Sequence, residues 1–458
     1  MSDMFLGIDL GTSGLKVAAV RDDGTLQNEA EAAYEVDHPQ PGFAQIDPQV
    51  WMRALRDVLA QLGEQNWAAV GVAGQMHGVV LVDAHGRACR PAVLWPDRRA
   101  ESDLGRWRDL PAQTRRRLAN PLVAGMAGPI LAWMASHDPQ CLGEGNLAVQ
   151  PKDYVRGQLG GALVGERSDA SATLLWDVPA DTWAFDVVDA IGLPPQLLPQ
   201  VVASDHVVGS AHLPRDPALV AGAGDTAAAL LGSGGLAPGQ VQVNLGSGAQ
   251  ILTGVARPEP ADDPVTHLYA DAAGAWYGMV ALRNGGLAVD RVRSWLGFSW
   301  EDLFAAAART PVGAGGVSII PYYSGERGAV AGPHGRGAWL GLTDTTTRLE
   351  LARAAVEGMV FAVAHGIEVL AGTPEYVRMT GGGALNPVVP QLLADVLGAE
   401  VHVLGERSAS AIGAAMLAAS GIGVELPVAA QPPVVYRPAS DVRTAYELWR
   451  SRGPAAEL

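Results

Sequence analysis

Apolar positions alternate with polar ones from Phe5 toward Asp9, and this spacing predicts a β-strand. The run breaks at residues 11–14, which read GTSG, and resumes over residues 15–20. Glycine permits a tight turn, and the backbone N–H groups and hydroxyls of such a turn converge on one point. The stretch therefore predicts a hairpin whose turn suits a phosphate group.

A second copy of this pattern occurs over residues 241–255. When the two copies are overlaid, Asn244 falls on Asp9, and residues 246–248 (GSG) fall on residues 11–13. Neither copy has the P-loop spacing, and no helical pattern follows as a dinucleotide fingerprint requires. Two phosphate-type hairpins predict a duplicated domain with a nucleotide between the halves.

The remaining periodicity predicts alternating strands and helices. A buried strand at 68–73 delivers residues 75–78 to its carboxyl end, where ligands of open α/β sheets collect. Further elements are a short strand at 219–222, a helix at 227–231, a long helix at 348–370, a strand at 376–379, and helices at 390–397 and 410–420. The last helix is rich in small residues and is expected to pack closely.

Length and charge narrow the class of protein. A chain of 458 residues is long for one core, so two large domains are expected. Hydrophobic residues make up 48% and charged residues 17%, which is typical of a globular enzyme. The formal net charge of −16 argues against a nucleic-acid partner, because such a partner requires a basic face.

The two cysteines, Cys89 and Cys141, have no metal-like spacing, which argues against a disulfide framework and favours a reducing compartment. The amino terminus enters a strand at once without the pattern of a signal peptide. No uninterrupted apolar run is long enough to cross a bilayer. We therefore expect a cytoplasmic protein without a membrane partner.

Lysine is almost absent from the chain. Only Lys16 and Lys152 occur among 32 basic residues. Biased codon usage explains the depletion, yet Lys16 follows the first phosphate-type turn. An ammonium group neutralises phosphate as a compact point charge, so Lys16 is a candidate phosphate contact.

The chain resembles the FGGY family of carbohydrate kinases, which falls within the actin and Hsp70-like ATPase superfamily. Nine motifs in order carry this resemblance over most of the length. They are IDLGTSGLK (8–16), GQMHGVVLVD (74–83), LWPDRR (94–99), PKDYV (151–155), SDASATLLWDV (168–178), GAGDTAAALLGSG (222–234), YYSGER (322–327), RGAWLGLT (336–343) and TGGGALNPVVPQLLADVLGAEVHV (380–403). Within the family, residues 75–78 look most like the xylulokinases.

The resemblance implies an α/β protein with two RNase H-like domains and a cleft between them. Residues 1–235 would form the amino-terminal domain, which binds the sugar and carries the catalytic base. Residues 236–458 would form the carboxyl-terminal domain, which binds the nucleotide. ATP and Mg²⁺ are the implied cofactors, and a small sugar is the other implied ligand. The oligomeric state stays open, with a homodimer as one alternative.

In the resemblance, Asp225 is the catalytic base. Aspartate before a run of alanines is also a good helix N-cap, so a purely structural role is the alternative. The two roles conflict only partly, since a helix N-terminus would keep the carboxylate ionised, as a base requires. Met76, His77 and Asp97 look like further sugar contacts, with Asp97 placed to accept two adjacent hydroxyls.

Three turns supply the nucleotide contacts that the resemblance implies. The glycines at 381–383 allow close approach of the backbone to a ring, and Asn386 offers an amide for adenine or ribose. Asp9 would position the metal ion. The implied nucleotide-binding residues are Gly11, Thr12, Ser13, Lys16, Gly246, Ser247, Gly382, Gly383 and Asn386.

The resemblance favours D-xylulose as substrate, with another ketose, a polyol or a sugar acid as alternatives. Glycerol kinases carry Arg-Glu where this chain has Met76-His77, which counts against glycerol. Relatives have a lysine where Ile130 stands, and residues 328–330 also depart from their pattern. Other classes remain open: a non-kinase ATPase acting as a sensor or scaffold, and a degenerate kinase that binds without turnover.

Overall fold

The first hairpin lies at the centre of a sheet. The computed structural model describes residues 3–63, 65–323, 325–327, 330–332, 334–405, 408–428 and 432–453. Strand β1 (Met4–Leu10) pairs antiparallel with β2 (Gly14–Arg21), and Asp9 lies opposite Lys16. Apart from Met4 and Asp9, the side chains of β1 are buried, as the apolar pattern predicts for a central strand.

The other strands of the first sheet are β3 (Leu26–Ala33), β4 (Trp67–Gly74), β5 (Val207–Ser210), β6 (Ala218–Val220) and the short strand β7 (Ala223–Gly224). The strand order is β5-β6-β4-β1-β2-β3. Strand β4 is parallel to β1, and both β6 and β7 are parallel to β4.

The strands of the second sheet are β8 (Val241–Leu245), β9 (Ala249–Val255), β10 (His267–Ala270), β11 (Trp276–Leu282), β12 (Tyr376–Thr380), β13 (Glu400–Val403) and β14 (Val434–Tyr436). This sheet repeats the arrangement of the first, with the order β10-β11-β9-β8-β12-β13-β14. Strand β8 pairs antiparallel with β9 and parallel with β12, as β1 does with β2 and β4. The shared order supports the duplication read from the two hairpins.

In the described part of the chain, ten helices of eight or more residues and the four-residue helix α4 flank the sheets. They are α1 (Pro48–Leu62), α2 (Ala127–His137), α3 (Pro151–Gln158), α4 (Arg167–Ala170), α5 (Asp225–Gly232), α6 (Gly286–Leu296), α7 (Trp300–Arg309), α8 (Arg348–Ala371), α9 (Val388–Leu397), α10 (Ala409–Gly421) and α11 (Arg443–Arg452). Asp47 caps α1 by accepting from Gln49 N, as the Asp-Pro start predicts.

Short elements fill the connections. The strands are Gln45–Ile46, Val80–Val82, Ala92–Val93, Leu147–Val149, Gly165–Glu166, Trp176–Asp177, Thr182–Trp183, Val201–Val202, Ser318–Pro321 and Gly337–Leu340, and the short helices are Ser102–Leu104, Gly105–Arg108, Ala112–Arg117, Pro139–Leu142, Phe185–Ala190, Pro195–Leu197, Ala314–Gly316 and Gly382–Ala384.

Helix α10 comes from the second half of the chain but packs on the first sheet, against β1, β4 and α5. Glycines allow this approach. A Cβ on Gly71 of β4 would stand 2.0 Å from the Ala414 carbonyl oxygen, and one on Gly413 would stand 1.9 Å from that of Ala228. The expectation that this small-residue helix packs closely is confirmed. It also joins the two halves into one packed body.

Helix α8 is the core helix of the second half. By length and composition alone it is long and apolar enough to cross a membrane, but 72% of its most apolar window is buried inside the protein. Its start carries a capping box in which Thr347 accepts from Glu350 N and the Glu350 carboxylate accepts from Thr347 N. Its apolar character thus follows from burial between helices and the second sheet.

We predict that Gly71→Ala lowers the free energy of unfolding by about 3 kcal/mol, because the added methyl group must displace the α10 backbone. Chemical denaturation followed by circular dichroism measures the change.

Gly105→Ala is the matched control. Gly105 begins a short helix and has nothing within 4 Å of the position of a Cβ, so alanine there is expected to be neutral or slightly stabilising. Equal stability of the two variants would show that α10 can move away from β4 without cost.

Candidate active site

The two predicted turns are similar but differ by one residue. In the first turn Gly11 N donates to Gly14 O at 2.9 Å, whereas in the second Gly246 N donates to Gly248 O at 2.9 Å. The tighter second turn places Gln250 opposite Asn244, where the first hairpin has Lys16 opposite Asp9. The overlay of the two sequences found the pair of turns but did not reveal that Gln250 takes the place of Lys16.

Asp225 is the first residue of α5, and Gly224 is the N-cap. The alternative that Asp225 is the N-cap is therefore wrong, because the N-cap lies one residue earlier. Its Oδ1 accepts from Thr226 N at 2.6 Å and from the Thr226 hydroxyl at 3.2 Å. Gln250 of the second sheet donates to the same hydroxyl at 3.4 Å. The second hairpin thus reaches the carboxylate that begins α5.

Burial, followed by the nearby Asp9 carboxylate, raises the pKa of Asp225 to about 7. The hydrogen bonds from Thr226 act in the opposite direction but are weaker. We expected the helix N-terminus to keep this carboxylate ionised, and here desolvation outweighs it. A carboxylate whose pKa lies near neutrality is matched to general-base work.

Asp9 lies near the end of β1, and its charge acts on Asp225. Its Oδ2 accepts a short hydrogen bond from the Ser410 hydroxyl of α10, while its buried Oδ1 has no hydrogen-bond partner among the described residues. Burial raises the pKa of Asp9, although Ser410 and the charge of Lys16 lower it. An orphaned carboxylate oxygen beside a second carboxylate fits a cation.

The described residues hold no group of three or more His, Cys, Asp or Glu side chains that could bind a metal ion. Mg²⁺ binds through one or two carboxylates and keeps waters and substrate phosphates as its other ligands. Asp9 fits that role through its free oxygen.

His77 follows the carboxyl end of β4 and has a left-handed backbone with φ of 71°. Its Nδ1 lies 2.8 Å from the Ala172 carbonyl oxygen, so this nitrogen carries the proton and Nε2 keeps a lone pair. Burial, together with the charge of Arg327, lowers the pKa of His77 to about 4. The neutral imidazole is therefore available as a hydrogen-bond acceptor.

Met76 joins His77 to the Asp225 loop. A Cβ on Gly224 would stand 2.8 Å from Met76 Cγ, so Met76 packs directly beneath the residue before Asp225. Its sulfur accepts from the Tyr277 hydroxyl at 3.8 Å. The structure thus brings together three of the residues assigned to sugar binding: Met76, His77 and Asp225.

A wall from the second sheet closes this side of the site, and sequence reasoning missed it. Tyr269 of β10 lies 5.8 Å from the His77 ring between centroids, and its hydroxyl bonds to His267 at 2.7 Å. Tyr269 and Tyr277 also pack edge to face at 5.7 Å. No strand was predicted around these two tyrosines, and core packing explains aromatic residues in such a stretch equally well.

Arg327 was quoted within a motif but given no role. Its guanidinium lies 5.8 Å from the centre of the Trp95 ring, and Trp95 Nε1 donates to the Thr12 hydroxyl at 2.8 Å. Burial lowers the pKa of Arg327, and no described carboxylate forms an ion pair with its side chain. Arg327 therefore brings a positive charge from the second half toward the first turn and His77.

The prediction for Asp97 requires correction. Its Oδ1 accepts from Arg99 N and Nε at 2.8 and 2.9 Å, and its Oδ2 accepts from Ala44 N and Arg99 Nη2 at 2.6 and 2.8 Å. All four acceptor positions are used, and the side chain is fully buried. Asp97 holds its own loop in place and has no free oxygen for a sugar hydroxyl.

Two other predictions concern Lys16 as a phosphate contact and the departure from the family pattern at residues 328–330. The ammonium of Lys16 lies 3.3 Å from the Glu31 carboxylate and is half exposed, and its charge also acts on Asp9. Its contact with a phosphate group stays a prediction. Within the departure at 328–330, Gly328 and Ala329 lie outside the described residues, and Val330 is buried.

A cavity of about 840 Å³ opens between the second turn and α6, α7 and α9. Apolar side chains form one side of it, among them Leu287, Trp300, Phe304 and Leu385. Leu385 is 78% exposed, as expected for a side chain that a flat ring would cover. The predicted nucleotide contacts that line the cavity are Gly246, Ser247, Gly382, Gly383 and Asn386.

Two family models match the chain. The amino-terminal domain of the FGGY family of carbohydrate kinases matches residues 4–232, and the carboxyl-terminal domain matches residues 253–422. The xylulose kinase of Escherichia coli (strain K12) is 32% identical over 436 residues, which cover 91% of this chain and 89% of that protein.

Solved structures agree on the fold. A structure described as a xyloylose kinase from Brucella ovis has a TM-score of 0.91 and 27% identity, covering 98% of this chain and 97% of that one. A gluconate kinase from Lactobacillus acidophilus also reaches a TM-score of 0.91, at 21% identity and with 99% and 98% coverage. At that identity the second match shows the fold alone.

We predict that Asp225→Asn raises the free energy of unfolding by about 1–2 kcal/mol at pH 8, since it removes a charge held out of water. In the unfolded chain an aspartate has a pKa of about 4. The folded protein therefore binds the proton more tightly, and stability falls as the pH rises from about 4 to about 7. The gain should disappear at pH 4. Denaturant titrations at both pH values measure it.

Asp57→Asn is the control, because Asp57 lies exposed on α1. Its stability should follow that of the unmodified protein at both pH values. Destabilisation by Asp225→Asn at pH 8 would contradict the raised pKa.

Proposed function

The chain belongs to the FGGY family of carbohydrate kinases, and from this premise we propose that it phosphorylates a primary hydroxyl of D-xylulose to give xylulose 5-phosphate. As a member of the family it is a sugar kinase, a phosphotransferase that uses ATP with Mg²⁺. Its fold is the two-domain α/β fold of that family.

One observation supports the assignment of roles: Asp225 lies between Met76 and the second hairpin. Met76 packs beneath the residue before it, and Gln250 of the second hairpin reaches it through Thr226. A base at this junction would contact the accepting hydroxyl, whose oxygen then faces the donor phosphate. We therefore assign the sugar-binding and catalytic residues to 1–235 and most of the nucleotide-binding residues to 236–458, with the first turn of 1–235 adding phosphate contacts.

Asp225 would accept the proton of the sugar hydroxyl while the hydroxyl oxygen attacks the γ-phosphorus of ATP. The new O–P bond would form as the bond from this phosphorus to the bridging oxygen breaks, and ADP would leave. Phosphoryl transfer asks for little covalent chemistry, so position and charge supply the catalysis. The donors of the first turn, Thr12 and Ser13, and those of the second, Gly246 and Ser247, would bind phosphate oxygens. Because the pKa of Asp225 lies near 7, the base is ionised at and above neutral pH.

The free Oδ1 of Asp9 would hold Mg²⁺, alone or through a water molecule. When bound, the ion neutralises phosphate charge. Asp9 has a second effect that needs no ion: its own charge raises the pKa of Asp225.

His77 would orient the sugar through its Nε2 lone pair, and Met76 would contact the carbon skeleton. Tyr269 and Tyr277, both fully buried, exclude water from the same side. Water competes with the sugar as acceptor, so exclusion favours transfer over hydrolysis. Because ATP is the donor, we place the reaction in the cytoplasm.

Arg327 favours a second candidate substrate. A guanidinium without a carboxylate partner among the described residues, close to His77, suits the carboxylate of a sugar acid. Against this stands the Met76-His77 pair, which resembles that of xylulokinases. The ketose is therefore our first assignment and the sugar acid our second.

We predict that a screen coupled to ADP release gives the highest kcat/KM with D-xylulose among pentuloses, hexuloses, polyols and sugar acids. Asp225→Asn is the background control and should lose transfer by at least about 10³-fold while still binding sugar.

A sugar acid that exceeds D-xylulose tenfold in kcat/KM would transfer the assignment to the second candidate. Near-normal turnover by Asp225→Asn would remove Asp225 as the base.

His77→Asn should raise the KM for the sugar at least about tenfold and leave the KM for ATP within about twofold, because the lost acceptor contacts only the sugar. Asparagine tolerates the left-handed backbone at this position. Steady-state kinetics with each substrate varied in turn measure the split.

The control is His85→Asn, in an exposed turn. An unchanged sugar KM in His77→Asn would show that His77 only packs against Tyr269.

A further inference from the structure

Five charged side chains are buried together behind the Asp225 loop. Lys152, Asp153 and Arg156 come from α3, Asp169 comes from α4, and Glu166 precedes α4, each no more than 1% exposed. The Lys152 ammonium lies 2.6 Å from Asp153, 3.1 Å from Asp169 and 3.5 Å from Glu166. We call these five residues the Lys152 cluster.

Lys152 stays charged in this environment. Burial alone would lower the pKa of Lys152, but the carboxylates of Asp153, Asp169 and Glu166 together raise it above its ordinary value. Buried ion pairs are weak sources of stability, since desolvation offsets much of their attraction. A purely apolar core would serve the fold as well, so the cluster calls for another explanation.

The cluster is attached to the segment that carries Asp225. Arg156 Nη1 donates to the Ala221 carbonyl at 2.6 Å. The Ser168 hydroxyl donates to Glu166 Oε1 at 2.8 Å and accepts from Gly224 N at 2.8 Å. The cluster thus binds the backbone on both sides of Gly222.

Ser204 supplies a third connection between the cluster and this segment. Its hydroxyl donates to Glu166 Oε2 at 3.1 Å, and its carbonyl accepts from Gly222 N at 2.8 Å. Asp169 Oδ1 would lie 3.4 Å from a Cβ on Gly224, directly under the residue before the base. Three hydrogen bonds therefore fix residues 221–224 from below.

We propose that the Lys152 cluster positions the base, and that Ser168 is the positioning residue that transmits its order to Asp225 through the Gly224 amide. The inference rests on the proposed role of Asp225. The Lys152 ammonium holds Asp153, Glu166 and Asp169 together, Glu166 orients the Ser168 hydroxyl, and this hydroxyl fixes the peptide that begins α5. The reactive oxygen then stays within reach of the sugar hydroxyl.

Ser168→Ala tests the proposal because it removes only one hydroxyl and leaves the charges in place. We expect kcat to fall about 10- to 100-fold with the KM values for sugar and ATP within about twofold, because misplacing a base affects the transition state and not binding. The pH at which kcat falls to half on the acid side should also move by at least about half a unit.

A second measurement does not depend on activity. Hydrogen exchange of the Gly224 amide should become at least about tenfold faster in Ser168→Ala, because this amide loses its acceptor. If the protein phosphorylates no sugar but the amide exchanges faster, the assigned reaction fails while the positioning contact stands. If the exchange rate is unchanged, the contact itself is overturned.

Ser233→Ala is the matched control. Ser233 is also buried, follows the carboxyl end of α5, and bonds to Ala229 O at 2.8 Å. In Ser233→Ala, kcat should stay within about twofold of that of the unmodified protein. The pH at which kcat falls to half on the acid side and the exchange rate of the Gly224 amide should also be unchanged. A kcat for Ser168→Ala within twofold of the unmodified protein, or an equal loss in Ser233→Ala, would overturn the proposal.

Lys152→Met tests the centre of the cluster. It leaves one guanidinium among three buried carboxylates, so it should lower kcat at least as much as Ser168→Ala. If Lys152→Met prevents folding, the comparison of Ser168→Ala with Ser233→Ala decides the proposal. A folded Lys152→Met protein with normal kcat would contradict it.

Discussion

Burial of the Asp225 carboxylate within reach of the charge of Asp9 is the constraint on which the site depends. Both side chains are anchored: Asp9 lies near the end of β1 and is held by Ser410, and Asp225 begins α5. Burial raises the pKa of both groups, and the charge of Asp9 raises the pKa of Asp225 further. A cation brought with the nucleotide would offset this buried negative charge, so substrate binding and charge balance are coupled.

The packing of α10 explains how this unfavourable arrangement is held. Glycines such as Gly71 and Gly413 let helix backbone contact strand and helix backbone directly, which fixes α10 against β4 and α5. Because α10 belongs to the second half of the chain, Ser410 connects that half to Asp9. The Lys152 cluster restrains the opposite side of Asp225. Asp225 and Asp9 are thus restrained by elements from both halves.

The sequence predicted the fold and the two hairpins well, because glycine turns, apolar alternation and capping residues are local signals. Gly382 and Asn386, which the resemblance implies as nucleotide contacts, line the cavity, and their role stays a prediction. It could not predict that Asp97 is saturated by Arg99 and Ala44, since those hydrogen bonds follow from tertiary contacts. Nor could it identify Tyr269, because an aromatic residue in a strand has the same pattern whether it packs in a core or lines a site.

The most direct test of the account is a crystal structure of the protein with D-xylulose, Mg²⁺ and a non-hydrolysable ATP analogue. The account predicts that the primary hydroxyl of the sugar lies within hydrogen-bond distance of Asp225 and in line with the γ-phosphorus, with the phosphates between the two glycine turns. A sugar hydroxyl that contacts no carboxylate, or a triphosphate bound away from the second turn, would contradict it.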